Sequence, residues 1–171
     1  MNMRFAFLLP MALLLAGCPS TPSGPEQPDA PIETRVPTVN AGSVDGRDLP
    51  NELRDPKNLL SQRSVYFDYN SFEVKREYQE LVSAHARFLV ANRQLRILVQ
   101  GHTDERGSRE YNLALGQKRA DAVRRVLTVL GVQEEQIEAV SLGEEKPKNE
   151  GHDDLAWAEN RRGDILYRGE Y

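Results

Sequence analysis

The chain holds one cysteine in 171 residues, so no internal disulfide can form. It lacks any run of about 20 apolar residues, the length that a bilayer-spanning helix needs. It contains no Gly-x-Ser-x-Gly, no His-Glu-x-x-His and no paired-cysteine motif, and so offers no nucleophile elbow and no zinc-hydrolase signature. Basic excess is missing too. With 22 Lys+Arg against 26 Asp+Glu the net charge is −4, which argues against general nucleic-acid binding. No internal repeat is visible. Proline is nearly absent from the C-terminal two thirds, because eight of the ten prolines lie in 19–56. What is present, 39% hydrophobic and 28% charged residues, suffices for one globular domain plus an extension.

Residues 1–17 read as an export signal. Arg4 is their only charged side chain, and an apolar run from Phe5 to Ala16 is broken once, by Pro10. At roughly a dozen residues this run suits a signal h-region and not a span. It ends in Leu15-Ala16-Gly17-Cys18, which resembles the bacterial lipobox. The resemblance implies that the mature protein begins at a lipidated Cys18. Two or more acyl chains anchor stably where one does so marginally. Pro19 in place of Asp after the cysteine fits release to the outer membrane. From 18 to 56 the Pro-rich, Ser/Thr/Gly-mixed composition cannot bury enough apolar area to offset ordering entropy. This segment reads as a disordered tether, reaching ~115 Å if extended and ~35 Å as a coil.

Residues 57–171 read as the folded domain. Asn58-Leu59-Leu60 suggests a helical turn. Strands are expected at Ser64–Asp68, Arg96–Gln100, Ile137–Leu142 and Gly163–Tyr167. Helices are expected at Glu73–Asn92, with Tyr78, Leu81, Val82, His85, Phe88 and Leu89 on one face, and at Arg109–Leu130, closed by Gly131. His85 on that face reads as a core histidine bonded to a neighbour. Gly143–Leu155 is a polar loop with a helical turn near Asp153–Glu159. The order β-α-β-α-β-β argues an α+β sandwich, a mixed four-stranded sheet with two main helices on one face.

The polar turn 101–107 joins a strand end to a helix start, where α/β folds tend to place ligands. Arg119 interrupts the apolar stripe Leu115, Ala122, Val123, Val126, Leu127 and Leu130 of the second long helix. A half-buried guanidinium there needs carboxylate or carbonyl partners, and Asp104 lies in the adjoining turn. Either the two side chains pair and lock turn to helix, or they are held apart. In the second case Arg119 would take a carboxylate and Asp104 an ammonium, assisted by the helix N-terminus. An amino-acid end, with both charges on one carbon, fits the second arrangement.

Val-Tyr-Phe-Asp (65–68), Gly-His-Thr-Asp-Glu-Arg-Gly (101–107), Tyr-Asn-Leu-Ala-Leu-Gly-Gln-Lys-Arg-Ala (111–120), Ser-Leu-Gly-Glu-Glu-Lys-Pro (141–147) and Glu-Asn-Arg-Arg (159–162) occur in this order. Together they resemble the OmpA C-terminal-like domain family over about residues 63–168. The resemblance implies non-covalent binding of the peptide stem of peptidoglycan, through the free amino and carboxyl groups of diaminopimelate. Its recognition residues fall on Asp104 and Arg119. Lys118 stands where the family often has Arg. Phe67, Asp68, His102, Thr103 and Arg161 are further groove candidates, while Asn112 and Tyr111 read as structural. Lipoproteins with this domain also bind the periplasmic propeller protein TolB, so the implied partners are peptidoglycan, the outer membrane through the lipid anchor, and TolB with other Tol proteins in envelope constriction during cell division. No cofactor and no metal are implied, and no enzyme. The rival, a metal hydrolase built from His102, Asp104, His152, Asp153 and Asp154, lacks ligand spacing.

Overall fold

The structure, a computed structural model, describes residues 49–171. The signal segment, Cys18 and most of the expected tether lie outside the described residues. The boundary expected at 56 is corrected. Asn51–Arg54 forms a short helix, α1, with Leu53 3% exposed, and Leu49 packs on the same core. Leu49, just ahead of the Pro50 N-cap, and Leu53 within α1 both pack on this core, so these residues belong to the folded domain despite their proline-rich surroundings.

Asn58 caps a 3-10 turn at Leu59–Ser61, its side chain accepting from Leu60 N at 3.0 Å. Strand β1 is Ser64–Tyr66 and stops short of Asp68, although Phe67 N still donates to Arg161 O at 2.8 Å. Ser71 Oγ accepts from Glu73 N, but helix α2 begins only at Gln79, after a 3-10 turn at Arg76–Tyr78, and ends at Ala91. Strand β2 is Ile97–His102, helix α3 Arg109–Val129, strand β3 Ile137–Gly143, helix α4 Asp154–Asn160 and strand β4 Arg162–Tyr167. Gly131, at φ +97°, follows α3 as expected.

The sheet order is β1-β4-β2-β3. Strand β4 is antiparallel to both β1 and β2, while β2 and β3 run parallel. A parallel pair needs a long crossover, and α3 supplies it. One apolar cluster joins Val65, Ile97, Val99, Ile165 and Tyr167 of the sheet to Leu81, Val82 and Leu89 of α2 and Val123 and Leu127 of α3. Ile97 and Val99 alternate along β2, so both long helices cover the same sheet face. At roughly 25 cal/mol per Å² of apolar surface, this face is the main stabilising term.

His85 is fully buried in that core. Its Nε2 lies 2.9 Å from Gln62 O and its Nδ1 2.8 Å from Tyr167 Oη. A carbonyl only accepts, so Nε2 carries the hydrogen and Tyr167 donates to Nδ1. Burial lowers the imidazole pKa from 6.5 to about 4, against the raising effect of the Gln62 carbonyl. The folded state therefore excludes a proton that the unfolded chain takes up below pH 6.5. Stability contributed by neutral His85 is complete above 6.5 and is lost as pH falls toward 4, to a limit of about 3 kcal/mol. Proton NMR is expected to show His85 titrating near pH 4, with unfolding free energy dropping between pH 6.5 and 4.5. Titration near 6.5 would contradict this.

Candidate functional site

Strand β2 delivers the site. Its pairing with β3 slips at Gly101/His102, a bulge of the kind that re-aims strand ends. Thr103 N then donates to Gly143 O at 2.9 Å, and residues 103–108 turn into α3, whose N-cap Ser108 accepts from Tyr111 N at 3.2 Å. The helix lies very close to the strand. A Cβ on Gly101 would stand 1.9 Å from Gly116 O, and one on Gly116 would stand 2.3 Å from Ser141 Oγ. Only glycines permit this backbone approach, and it lowers the next turn of α3 onto the end of β2.

Arg119 is on that turn and is 0% exposed. Its Nε donates to Ser71 O at 2.8 Å, Nη1 to His102 O at 2.7 Å and Nη2 to Asp68 O at 3.1 Å. The Phe67 ring lies 5.3 Å from its guanidinium carbon. One buried cation thus ties the β1–α2 loop to the end of β2, and three bonds leave two of its five N–H groups. Burial lowers its pKa to about 10, opposed by the charge of Asp104, so it stays a cation at neutral pH.

Asp104 does not rely on Arg119. Arg106 donates to it three times, from N to Oδ1 at 3.1 Å, Nε to Oδ1 at 3.2 Å and Nη2 to Oδ2 at 2.8 Å. Arg161 Nη1 donates to Oδ2 at 3.2 Å while its Nε holds Phe67 O at 3.2 Å. Burial by itself would raise the Asp104 pKa, but the bonds from Arg106 and Arg161 outweigh it and hold the carboxyl below its ordinary value. The Arg106 guanidinium is stacked between Tyr69 and Trp157, 4.3 and 4.1 Å from their ring centroids. Trp157 Nε1 and His152 Nδ1 both reach Glu105, at 2.8 and 2.7 Å.

A pocket gathers Thr103, Asp104, Arg119 and Arg161 with Tyr69, Asn70, Arg106, Tyr111, Asn112 and Leu115. The other groove candidates lie elsewhere. Phe67 is a core residue, buried under Arg119, and His102 is buried and turned to Asp164, with Nε2 3.4 Å from Oδ2. The Asp68 side chain faces Lys75 at 3.6 Å, and its carbonyl, not its carboxylate, serves Arg119. The backbone is irregular at all three: β1 stops at Tyr66 and β2 bulges at His102, so the direction of each side chain is set by the local turn and not by a strand pleat. Asn112 binds Glu144 and Tyr111 binds Asn70, as structural residues would, yet both line the pocket. The signal for Arg106 was its place two residues after Asp104, the reach of an Asx-type turn. Nothing local marked Tyr69 or Trp157. Asn160, 4% exposed, takes Lys148 N and Asn149 N on one oxygen and pins the 143–153 loop.

The OmpA family profile matches residues 66–161. A peptidoglycan-associated lipoprotein of Pseudomonas aeruginosa is 45% identical over 72% of this chain and 70% of its own length. One of Pasteurella multocida is 48% identical over 63% and 73%. One of Legionella pneumophila is 36% identical over 96% and 94%. Among solved structures, the peptidoglycan-associated lipoprotein of Burkholderia pseudomallei superposes with TM-score 0.67 at 58% identity, covering 68% of this chain and 98% of that one. The C-terminal domain of Helicobacter pylori MotB, at 21% identity and TM-score 0.57 over 62% and 84%, shares the fold.

Replacing Arg119 by Met keeps bulk but leaves three carbonyls without their donor. The expected cost is about 3 kcal/mol in urea unfolding, part of it recovered because water reaches Asp68 and Ser71. Gly101→Ala must push the α3 backbone away, with an expected loss of about 3 kcal/mol. A change below about 1 kcal/mol in either would mean that the contact is not structural.

Proposed function

The chain belongs to the OmpA family and, within it, to the peptidoglycan-associated lipoproteins, and from that premise we propose that it holds the outer membrane to the cell wall. The observation behind this reading is a pocket in which an ionised carboxylate and a buried guanidinium are kept apart, each held by other partners. Two opposite charges that do not quench each other suit a guest that bears both. The free end of a diaminopimelate side chain is such a guest. Asp104 accepts from its ammonium, and the remaining N–H groups of Arg119 meet its carboxylate. Thr103, whose hydroxyl is buried without a partner, adds a donor at the pocket wall.

The other parts of the reading rest on residues outside the described range. Cys18 takes the lipid that anchors the chain in the outer membrane, and 18–48 tether the domain in the periplasm. Single wall contacts are modest, and many copies on one membrane give avidity. TolB and the other proteins of the Tol-Pal system are the partners that draw this tether into envelope constriction. A binding module of this kind catalyses nothing.

Cosedimentation with purified sacculi tests the clamp. Asp104→Asn removes the charge and keeps the shape. It is expected to weaken binding at least about tenfold, the scale of one lost hydrogen bond to a charged group, and to lower the unfolding midpoint of the ligand-free protein only modestly, so that the domain is still folded at the assay temperature, because Asn keeps an acceptor for Arg106 and Arg161. Pelleting at the wild-type level would refute the assignment.

A further inference from the structure

The position opposite Asp104, where a ligand's ammonium belongs, already holds a cation. Arg106 covers the carboxylate with a two-point contact, Nε on Oδ1 and Nη2 on Oδ2, and its guanidinium is stacked between Tyr69 and Trp157. The two arginines on Asp104 differ in what else fixes them. Arg161 is tied to Phe67 O and its side chain is 15% exposed. The Arg106 side chain is 33% exposed, comes from the turn between β2 and α3, and hydrogen-bonds only to Asp104 among the described residues, with the charge of Asp154 a weaker attraction. Asp104 itself is 5% exposed at its side chain. Arg106 is thus both the lid over Asp104 and the group best able to leave it.

We propose that Arg106 is a resident cation in the ammonium subsite, which a ligand displaces by supplying its own, so that Arg106 determines which ligands open the site. This rests on the diaminopimelate reading of the pocket. A neutral or purely anionic group cannot replace the guanidinium, because its departure would leave Asp104, mostly buried, with Arg161 as its one bonded cation beside the Arg106 backbone N–H. An ammonium restores the charge balance in a smaller volume. Stacking on two rings stabilises the closed state, so selectivity is gained at a cost in affinity.

The chain has a single tryptophan, and it is the ring on which Arg106 rests, so its emission reports the position of the guanidinium. The test is titration of the wild type and Arg106→Gln with the tripeptide L-Ala-γ-D-Glu-meso-diaminopimelate, following calorimetry and Trp157 emission together. Arg106→Gln removes the charge from an exposed turn and keeps much of the stem. It is expected to bind about threefold tighter or more, the scale of one partly exposed ion pair. Trp157 emission should shift on ligand binding in the wild type, and the ligand-free variant should already emit like the liganded wild type. If the wild type binds and Arg106→Gln binds equally or more weakly, Arg106 is no competitor and the proposal falls while the pocket reading stands. If neither protein binds the tripeptide, both fall.

Discussion

A guanidinium with no solvent exposure, bonded to three backbone carbonyls, is the constraint on which the site depends. Arg119 costs desolvation energy wherever it is buried, and carbonyls from two separate segments, with the nearby charge of Asp104, offset it. The β1–α2 loop supplies Asp68 and Ser71, and the end of β2 supplies His102. Neither segment is regular at these points: β1 has ended, and β2 is bulged. The cation therefore does for irregular backbone what a ladder does for a sheet, satisfying acceptors that would otherwise be buried alone. Because these acceptors are main-chain, the pocket wall keeps its shape whatever side chains decorate it.

That geometry is possible only because α3 approaches β2 without side chains between them. Gly101 and Gly116 meet backbone to backbone, and Arg119 follows Gly116 by three residues, nearly one turn. One extra methyl at the contact would lift the helix and draw the guanidinium off His102 O. The apolar cluster fixes the distance at the other end of the helix, through Val123 and Leu127. The pocket end is thus held by close glycine packing and a buried charge, the far end by ordinary hydrophobic burial.

Much of this was legible in the sequence, and the failures share a cause. Strand and helix identities followed from periodicity, and Arg119 stood out because it broke an apolar stripe. Asp104 was found through the turn that such an arginine must face. The partners of Arg119 were not legible, since any residue owns a carbonyl and sequence does not say where it points. For Phe67, Asp68 and His102 the sequence placed the residues at the strand ends but did not give their side-chain directions, which the early end of β1 and the bulge in β2 set. Arg106 between Tyr69 and Trp157 joins three segments far apart in the chain, a contact that only the tertiary fold creates. At the domain edge, a proline-rich composition concealed Leu49 and Leu53, whose burial depends on two side chains and not on an average over the segment.

The charge of the pocket gives these pieces one electrostatic sense. Its lining has three arginines against one aspartate, two net positive charges, in a chain whose total is −4. At physiological ionic strength fields fade over about 8 Å, so a ligand at the pocket mouth feels chiefly the charges that line it. That field draws in a carboxylate and repels an ammonium. Under the proposed reading a zwitterionic end arrives by its anion, and its cation gains only on reaching Asp104 at contact distance. On the same reading, a positive lining with one buried acid inside it disfavours free amines at the pocket mouth and simple carboxylates at contact. Of the four charged groups in the lining, Asp104 is the single acid, so under the proposed reading the second filter lies at this carboxylate and the Arg106 side chain that covers it.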